Sequence, residues 1–317
     1  MKSSVTNTTD RDVCWITWER HQRSRSLAEQ LQIPLIELSR PGGRAARYLF
    51  NTLSTLRLLV GQRRSLVFAQ VPSLVLGHLV IALGALMRFR VIVDAHNAVI
   101  EGAESGSQPL RLLYRLLIRR ADAVIVTNSV LADRVRRLAG RPYVLPDPVP
   151  SFRGSGLPVS GANHVVVVST WAEDEPLESI VKAAELLPEP LFFTITGRPR
   201  GRFATSAANS ARMRVPGFLS DQDYVELLRT SRAIVDLTTR EDCLVCGAYE
   251  ALAVGRPLIV SDSRALRELL RDGAVFCANE PEAIASAVAR AAQSEGDWAE
   301  KCVERRDAYI DEWRAAA

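Results

Sequence analysis

Cysteine is scarce in this chain of 317 residues: Cys14, Cys243, Cys246, Cys277 and Cys302 are an odd and scattered set. That excludes a disulfide framework and suits free thiols in a reducing compartment, so a cytoplasmic protein is expected. Long apolar runs are missing too. The longest, Val71 to Met87, contains Pro72, two glycines and His78; at about 17 residues it sits at the lower limit for spanning a bilayer and reads as a buried helix. Residues 1–12 are polar and rich in Ser and Thr, without the apolar stretch of a signal peptide or anchor. No segment is of low complexity, and 47% apolar with 24% charged residues excludes disorder and fibrous classes. The loop after the first expected strand, Trp18-Glu-Arg20-His21-Gln-Arg23-Ser-Arg25-Ser26, has no glycine, which argues against a dinucleotide-binding dehydrogenase. Cys243 and Cys246 form a single C-x-x-C with no second pair or His partner, which argues against zinc; two small packing residues are expected, with redox or metal chemistry the alternative.

What is present points to two domains, because the length exceeds the usual range of about 100 to 200 residues for one. Short β-branched runs alternate with longer helical patterns, the signature of βαβ units and parallel sheets. Strands are expected at 13–18, 34–38, 66–70, 90–94, 123–127 and 141–145, with helices at 22–32, 44–61, 73–87, 110–120 and 129–139 between them. Pro146-Asp-Pro-Val-Pro150 and the Gly/Ser stretch to about residue 163 read as a linker. Strands then recur at 164–169, 191–196, 214–218, 233–237, 257–261 and 274–277, closed by helices at 280–292 and 297–316. The expected fold is α/β, two doubly wound Rossmann-like domains (1–150 and 151–317) facing across a cleft, with the last helix packing back on the first domain. Charge divides with them: up to Arg153 there are 22 Lys/Arg against 11 Asp/Glu, and beyond it 18 against 25. A basic first half suits an anionic lipid or a phosphorylated substrate. Nucleic acid fits less well, since the arginines are dispersed and no recognition motif accompanies them.

The stretch richest in chemistry runs Thr238-Thr-Arg240-Glu-Asp242-Cys243-Leu244-Val245-Cys-Gly-Ala-Tyr-Glu250, then Ala-Leu-Ala-Val-Gly255-Arg-Pro257. A loop leads into a helix that begins near Cys246 and stops at Gly255, a favoured C-cap residue. Asp242 lies ahead of the helix and Glu250 inside it. Between them are helix N-terminal N–H groups that favour a phosphate. As a capping Asp and a solvated Glu, the two carboxylates would carry no function.

Two acidic residues separated by seven others, followed by Ala-x-x-x-Gly-x-Pro and an apolar strand, resemble the donor motif of the retaining family 4 glycosyltransferases, which have twin Rossmann domains. The resemblance implies that Asp242 holds sugar hydroxyls and Glu250 the ribose, with the diphosphate near Cys243, Leu244 and Val245. Asp242 stands where the family usually has Glu, a shorter reach. Gly217 and Phe218 resemble the segment that receives the nucleoside base. His96, followed by Asn97, resembles the strand-terminal His near acceptor and transferred sugar. The family's Arg and Lys after the first strand of the second domain are replaced here by Thr170 and Glu175. Arg198, Arg200 or Arg240 are the cations left for the diphosphate, which needs one as it departs. Arg20 and Arg23 are candidates for an acceptor phosphate.

The implied activity is a retaining hexosyl transfer from a UDP- or GDP-linked sugar to a saccharide or polyprenyl-linked acceptor, in cell-surface or exopolysaccharide synthesis, with no cofactor; metal independence is expected from the residues themselves, which offer no His/carboxylate cluster to hold a divalent ion with the diphosphate. A nucleotide-sugar 2-epimerase or a non-catalytic glycosyltransferase-like subunit are the alternatives. Arg111, Arg115 and Arg119 share one helix face, with Arg44, Arg47 and Arg57 in the same domain. This suggests peripheral contact with the anionic inner face of the plasma membrane, unless the adjoining leucines simply pack on the sheet.

Overall fold

The structure is a computed structural model describing residues 12–39, 43–71, 73–95, 97–152 and 163–317. The chain divides between Pro148 and Val149 into two compact units. The first is built from β1 (Val13–Thr17), α1 (Gln22–Gln30), β2 (Leu35–Glu37), α2 (Arg44–Val60), β3 (Leu66–Val71), α3 (Leu74–Met87), β4 (Arg90–Ala95), α4 (Asn97–Ser105), α5 (Gln108–Arg120), β5 (Ala123–Val126), α6 (Ser129–Arg137) and β6 (Pro142–Val144). Its strands form one parallel sheet in the order β2-β1-β3-β4-β5-β6. Strands such as Val-Cys-Trp-Ile-Thr and Ala-Val-Ile-Val are apolar on both sides because helices cover both faces. Right-handed crossovers from β2 to β3, β3 to β4 and β4 to β5 run in one direction along the sheet, which puts α2, α3 and α5 on the same face. There α3 packs against both others.

The second unit repeats the plan with β7 (His164–Val167), α7 (Leu177–Glu185), β8 (Phe192–Thr196), α8 (Phe203–Asn209), β9 (Met213–Gly217), α9 (Asp221–Thr230), β10 (Ala233–Asp236), α10 (Cys246–Val254), β11 (Leu258–Ser261), α11 (Arg264–Leu270), β12 (Val275–Cys277), α12 (Pro281–Gln293) and α13 (Glu295–Ala316). The sheet order is β12-β11-β10-β7-β8-β9, all parallel. The chain therefore winds one way from β7 to β9 and the other way from β10 to β12. Ligands of such sheets bind outside the strand carboxyl ends where that reversal occurs, here between β7 and β10. Valines and isoleucines of β7, β8, β10 and β11 form the core with α7 and α12. The last helix, α13, is anchored within this unit: Arg305 Nε donates to the Leu269 carbonyl at 2.7 Å, and the Tyr309 ring meets that of Tyr249 edge-on.

Candidate functional site

The strand β10 reads Ala-Ile-Val-Asp, three apolar residues and then a carboxylate at the reversal point. That carboxylate, Asp236, is buried and accepts the N–H of Gly247 at 2.7 Å, in the first turn of α10. Gly247 is there for a steric reason. A Cβ on it would lie 2.6 Å from Asp236 Oδ2, 2.9 Å from Asp236 Cβ and 3.0 Å from Val168 Cβ. Only glycine lets the helix begin this close to the strand ends. Burial pushes the Asp236 carboxyl well above the usual carboxylate range; the Gly247 bond opposes this, while the charges of Glu250, Glu175 and Asp174 add to it.

Asp242 is buried in the loop ahead of α10, with its Oδ1 3.5 Å from Arg240 Nε. Glu250, in the second turn, is half-buried and accepts the Tyr224 hydroxyl at 2.5 Å. Burial raises the Glu250 carboxyl, against the pull of that hydrogen bond. The two carboxylates thus flank the start of α10 along the chain. The helix start itself is less open than the sequence implies: Asp236 engages the Gly247 N–H, and the Ala248 N–H is bonded to the Val245 carbonyl at 3.2 Å. Val245 is buried, Leu244 and Cys243 are half-buried, and burial pushes the Cys243 thiol up to about 11. That shift is opposite to an activated redox thiol and makes Cys243 a packing residue.

At the end of β7 the missing cations have a structural counterpart. Glu175 folds back so that its carboxylate accepts from Ser169 Oγ, from the Thr170 N–H and hydroxyl, both at 2.8 Å, and from the Trp171 N–H at 3.1 Å. A carboxylate clamps this loop where the resembling family carries positive charge. Trp171, at φ +60°, turns its indole N–H onto the Thr196 carbonyl at 2.9 Å. Gly197 is needed opposite it, since a Cβ there would sit 2.2 Å from the Ser169 carbonyl oxygen. The β8 loop brings the cations. Arg200 Nε donates to the Trp171 carbonyl at 3.1 Å, and the Arg198 guanidinium lies 5.0 Å above the exposed Phe218 ring. Gly217, at φ +79°, ends β9 beside them. Thr170, Arg198, Arg200, Gly217 and Phe218 therefore belong to the loops at the carboxyl ends of three adjacent strands, β7, β8 and β9. The β7 and β10 loops are tied together by the Thr239 N–H, which donates to the Asp174 carbonyl at 2.7 Å.

The first unit assigns its residues differently. Arg23 is buried, with Nε 3.2 Å from Asp94 Oδ1, Nη2 donating to the Leu145 carbonyl at 2.8 Å and Nη1 on Asp147. It joins the β1 loop to the end of β4 and to the chain beyond β6, so its guanidinium is committed to the fold rather than to an acceptor phosphate. Arg20 is exposed, and Asn97 opens α4 half-buried. His96 lies outside the described residues.

Asp236 and Tyr224, which contact the start of α10 and Glu250, were not among the residues singled out from the sequence. A signal existed for the first, because Val-Ile-Val-Asp94 and Ala-Ile-Val-Asp236 are the same strand ending in both halves, and each Asp is buried on a fixed partner. Tyr224 stands 26 residues from Glu250 on another helix and left no local trace. The Asp-x-Asp spacing of Asp221 and Asp223 falls in the first turn of α9, where the capping Ser220 hydroxyl accepts the Asp223 N–H at 3.2 Å and donates to the Asp223 carboxylate at 2.7 Å. Among the described residues no three His, Cys, Asp or Glu side chains gather as a metal site, and no helix is long and apolar enough to cross a membrane.

Residues 8–150 match the family model described as glycosyl transferase 4-like domain, and residues 162–294 the model described as glycosyl transferases group 1. Over 102 residues the chain is 35% identical to a GDP-mannose-dependent alpha-(1-6)-phosphatidylinositol dimannoside mannosyltransferase of Mycobacterium tuberculosis. That stretch is 32% of this chain and 26% of the relative, so the chain covers about a quarter of the curated relative's length. HepE of Anabaena, solved with UDP and glucose, superposes with a TM-score of 0.71 at 13% identity over 95% of each chain. Sucrose-phosphate synthase of Thermosynechococcus elongatus gives 0.66 at 16% identity, over 90% of this chain and 81% of that one. At such identities the likeness concerns the fold. With both halves matched and two Rossmann-like units in place, the chain belongs to the family 4-type glycosyltransferases.

Proposed function

We propose that the chain transfers a hexose, with retention and without a metal, from a nucleotide diphospho-sugar, UDP- or GDP-linked, to a glycan or lipid-linked acceptor in cell-surface polysaccharide synthesis. The observation that carries this is the pair Asp242 and Glu250 on either side of the start of α10, at the point where the sheet order reverses. In this reading Glu250, held by Tyr224, binds the ribose hydroxyls. Asp242 binds the sugar, where charge develops. Gly217 and Phe218 receive the base. Arg198 and Arg200 neutralise the diphosphate in place of the cations that Glu175 excludes, with Arg240 beside the sugar end. His96, Asn97 and Arg20 serve the acceptor.

A second reading, a non-catalytic glycosyltransferase-like subunit, draws on the Glu175 clamp, which puts negative charge next to the diphosphate. Incubating the protein with labelled donors, with and without acceptor, tests both. Transfer that requires acceptor supports the proposal, sugar isomerisation without acceptor marks an epimerase, and neither product with any donor supports the subunit.

A further inference from the structure

Between Glu37 and Asp94 the sequence has no acidic residue and eight arginines. The helices α2, α3 and α5 are themselves free of Asp and Glu and carry seven arginines. These are the three helices that lie side by side on one face of the first sheet. Ten of the fourteen exposed large apolar side chains among the described residues lie on them, so the apolar exposure of the molecule is concentrated rather than scattered. Leu53 of α2 is 46% exposed, Leu86 of α3 79% and Leu112 of α5 68%.

The inward faces do not need these residues. On α5 the buried residues are Leu117 and Ile118, and on α2 they are Asn51, Thr55 and Leu59. The leucines expected to pack on the sheet therefore divide, and those at 110, 112, 113 and 116 face outward. Exposed Arg44, Arg47 and Arg57 on α2 and Arg120 on α5 stand among them. Arg115 and Arg119 play another part, as their Nε atoms donate to the carbonyls of Ala103 at 2.9 Å and Leu138 at 3.1 Å and fasten α5 to its neighbours.

We infer that this three-helix face rests on a bilayer containing anionic lipid, its leucines entering the headgroup–acyl boundary and its arginines holding the phosphates around them. Apolar side chains ringed by cations, with no acidic residue to repel the surface, match that environment on both counts. A second copy of the chain does not, since the exposed arginines of one face would meet those of the other with no carboxylate on the three helices to pair them. The inference gives the lipid-linked acceptor of the proposed function a surface to be met on. It uses none of the donor residues, so vesicle binding and donor binding succeed or fail separately.

The test is sedimentation of the full chain with vesicles of phosphatidylcholine alone or mixed with phosphatidylglycerol. Protein should pellet with the mixed vesicles, remain in the supernatant with the neutral ones, and be released as salt rises. Arg44→Gln with Arg47→Gln should weaken partitioning about thirty-fold. Leu53→Ser, Leu112→Ser and Leu116→Ser together should weaken it on the order of a hundred-fold, by removing apolar area from the boundary. All five positions are exposed or half-buried, so unchanged melting curves check that the variants fold. Equal recovery in the supernatant with both vesicles at low salt would overturn the inference. A dimer in sedimentation velocity that the leucine variants dissolve would also overturn it, because the face would then belong to a second copy.

Discussion

Gly247→Ala is a small substitution with a large expected cost. The added Cβ would meet Asp236 Oδ2 at 2.6 Å, Asp236 Cβ at 2.9 Å and Val168 Cβ at 3.0 Å. The carboxylate cannot swing away without giving up the 2.7 Å bond from the Gly247 N–H, and the two Cβ atoms belong to the sheet edge. Overpacking a buried contact costs about 1–3 kcal/mol, and losing the hydrogen bond adds about 1 kcal/mol. The sum, roughly 2–4 kcal/mol, corresponds to a fall in melting temperature of roughly 4–16 °C for a unit of this size. Differential scanning calorimetry reads it directly. Gly296→Ala, in α13 with open space around its Cβ, is the control and should stabilise by a few tenths to about 1 kcal/mol. If Gly247→Ala melted with wild type while Gly296→Ala behaved as stated, the close approach of α10 to the strand ends would be refuted.

Arg23→Ala should destabilise the first unit by about 3–5 kcal/mol, because it strands the buried Asp94 carboxylate. Arg20→Ala, at an exposed position, should change the unfolding free energy read from denaturant titration by no more than about 0.5 kcal/mol. Asp236→Asn should change the pH dependence of stability. Burial raises the folded-state pKa of Asp236, so the folded chain holds that proton to higher pH than the unfolded chain, and stability falls as pH rises from about 3.9 through the folded value. Asparagine cannot titrate, so the variant should gain on wild type as pH rises through that window; parallel stability curves would count against the buried charge.

Most of the architecture was legible because it is written locally. The central strands β1, β3, β4, β5, β7, β10 and β11 are apolar stretches rich in Val and Ile, and α10 ends on Gly255 at φ +67°, as its C-cap position requires. The helix α4 was missed although Val99, Ile100 and Ala103 keep a helical spacing, because its nine residues lie between a strand and a longer helix with Gly102 in their midst. Gly102 is there for packing, as a Cβ would strike the Tyr114 ring of α5 at 2.3 Å. The site was half legible. Asp242, Glu250 and the departure at Thr170 and Glu175 are spacings along the chain, whereas Asp236 with Gly247, Tyr224 with Glu250 and Arg23 with Asp94 exist only after folding. Arg23 shows the hazard most clearly: three arginines in a loop suggest a phosphate, but one of them is buried on an aspartate 71 residues away.

The central claim is that a nucleoside diphosphate is held at the start of α10 by Glu250. Melting temperature measured with UDP and with GDP, for wild type and Glu250→Ala, tests it most directly. At a hundred times its Kd a ligand stabilises by about 2.7 kcal/mol, which for a unit of this size is a rise of roughly 5–11 °C. That rise is expected for one of the two nucleotides in wild type, and its loss in Glu250→Ala at the same concentration. A rise of the same size in the variant, or none in wild type with either nucleotide, would contradict the claim.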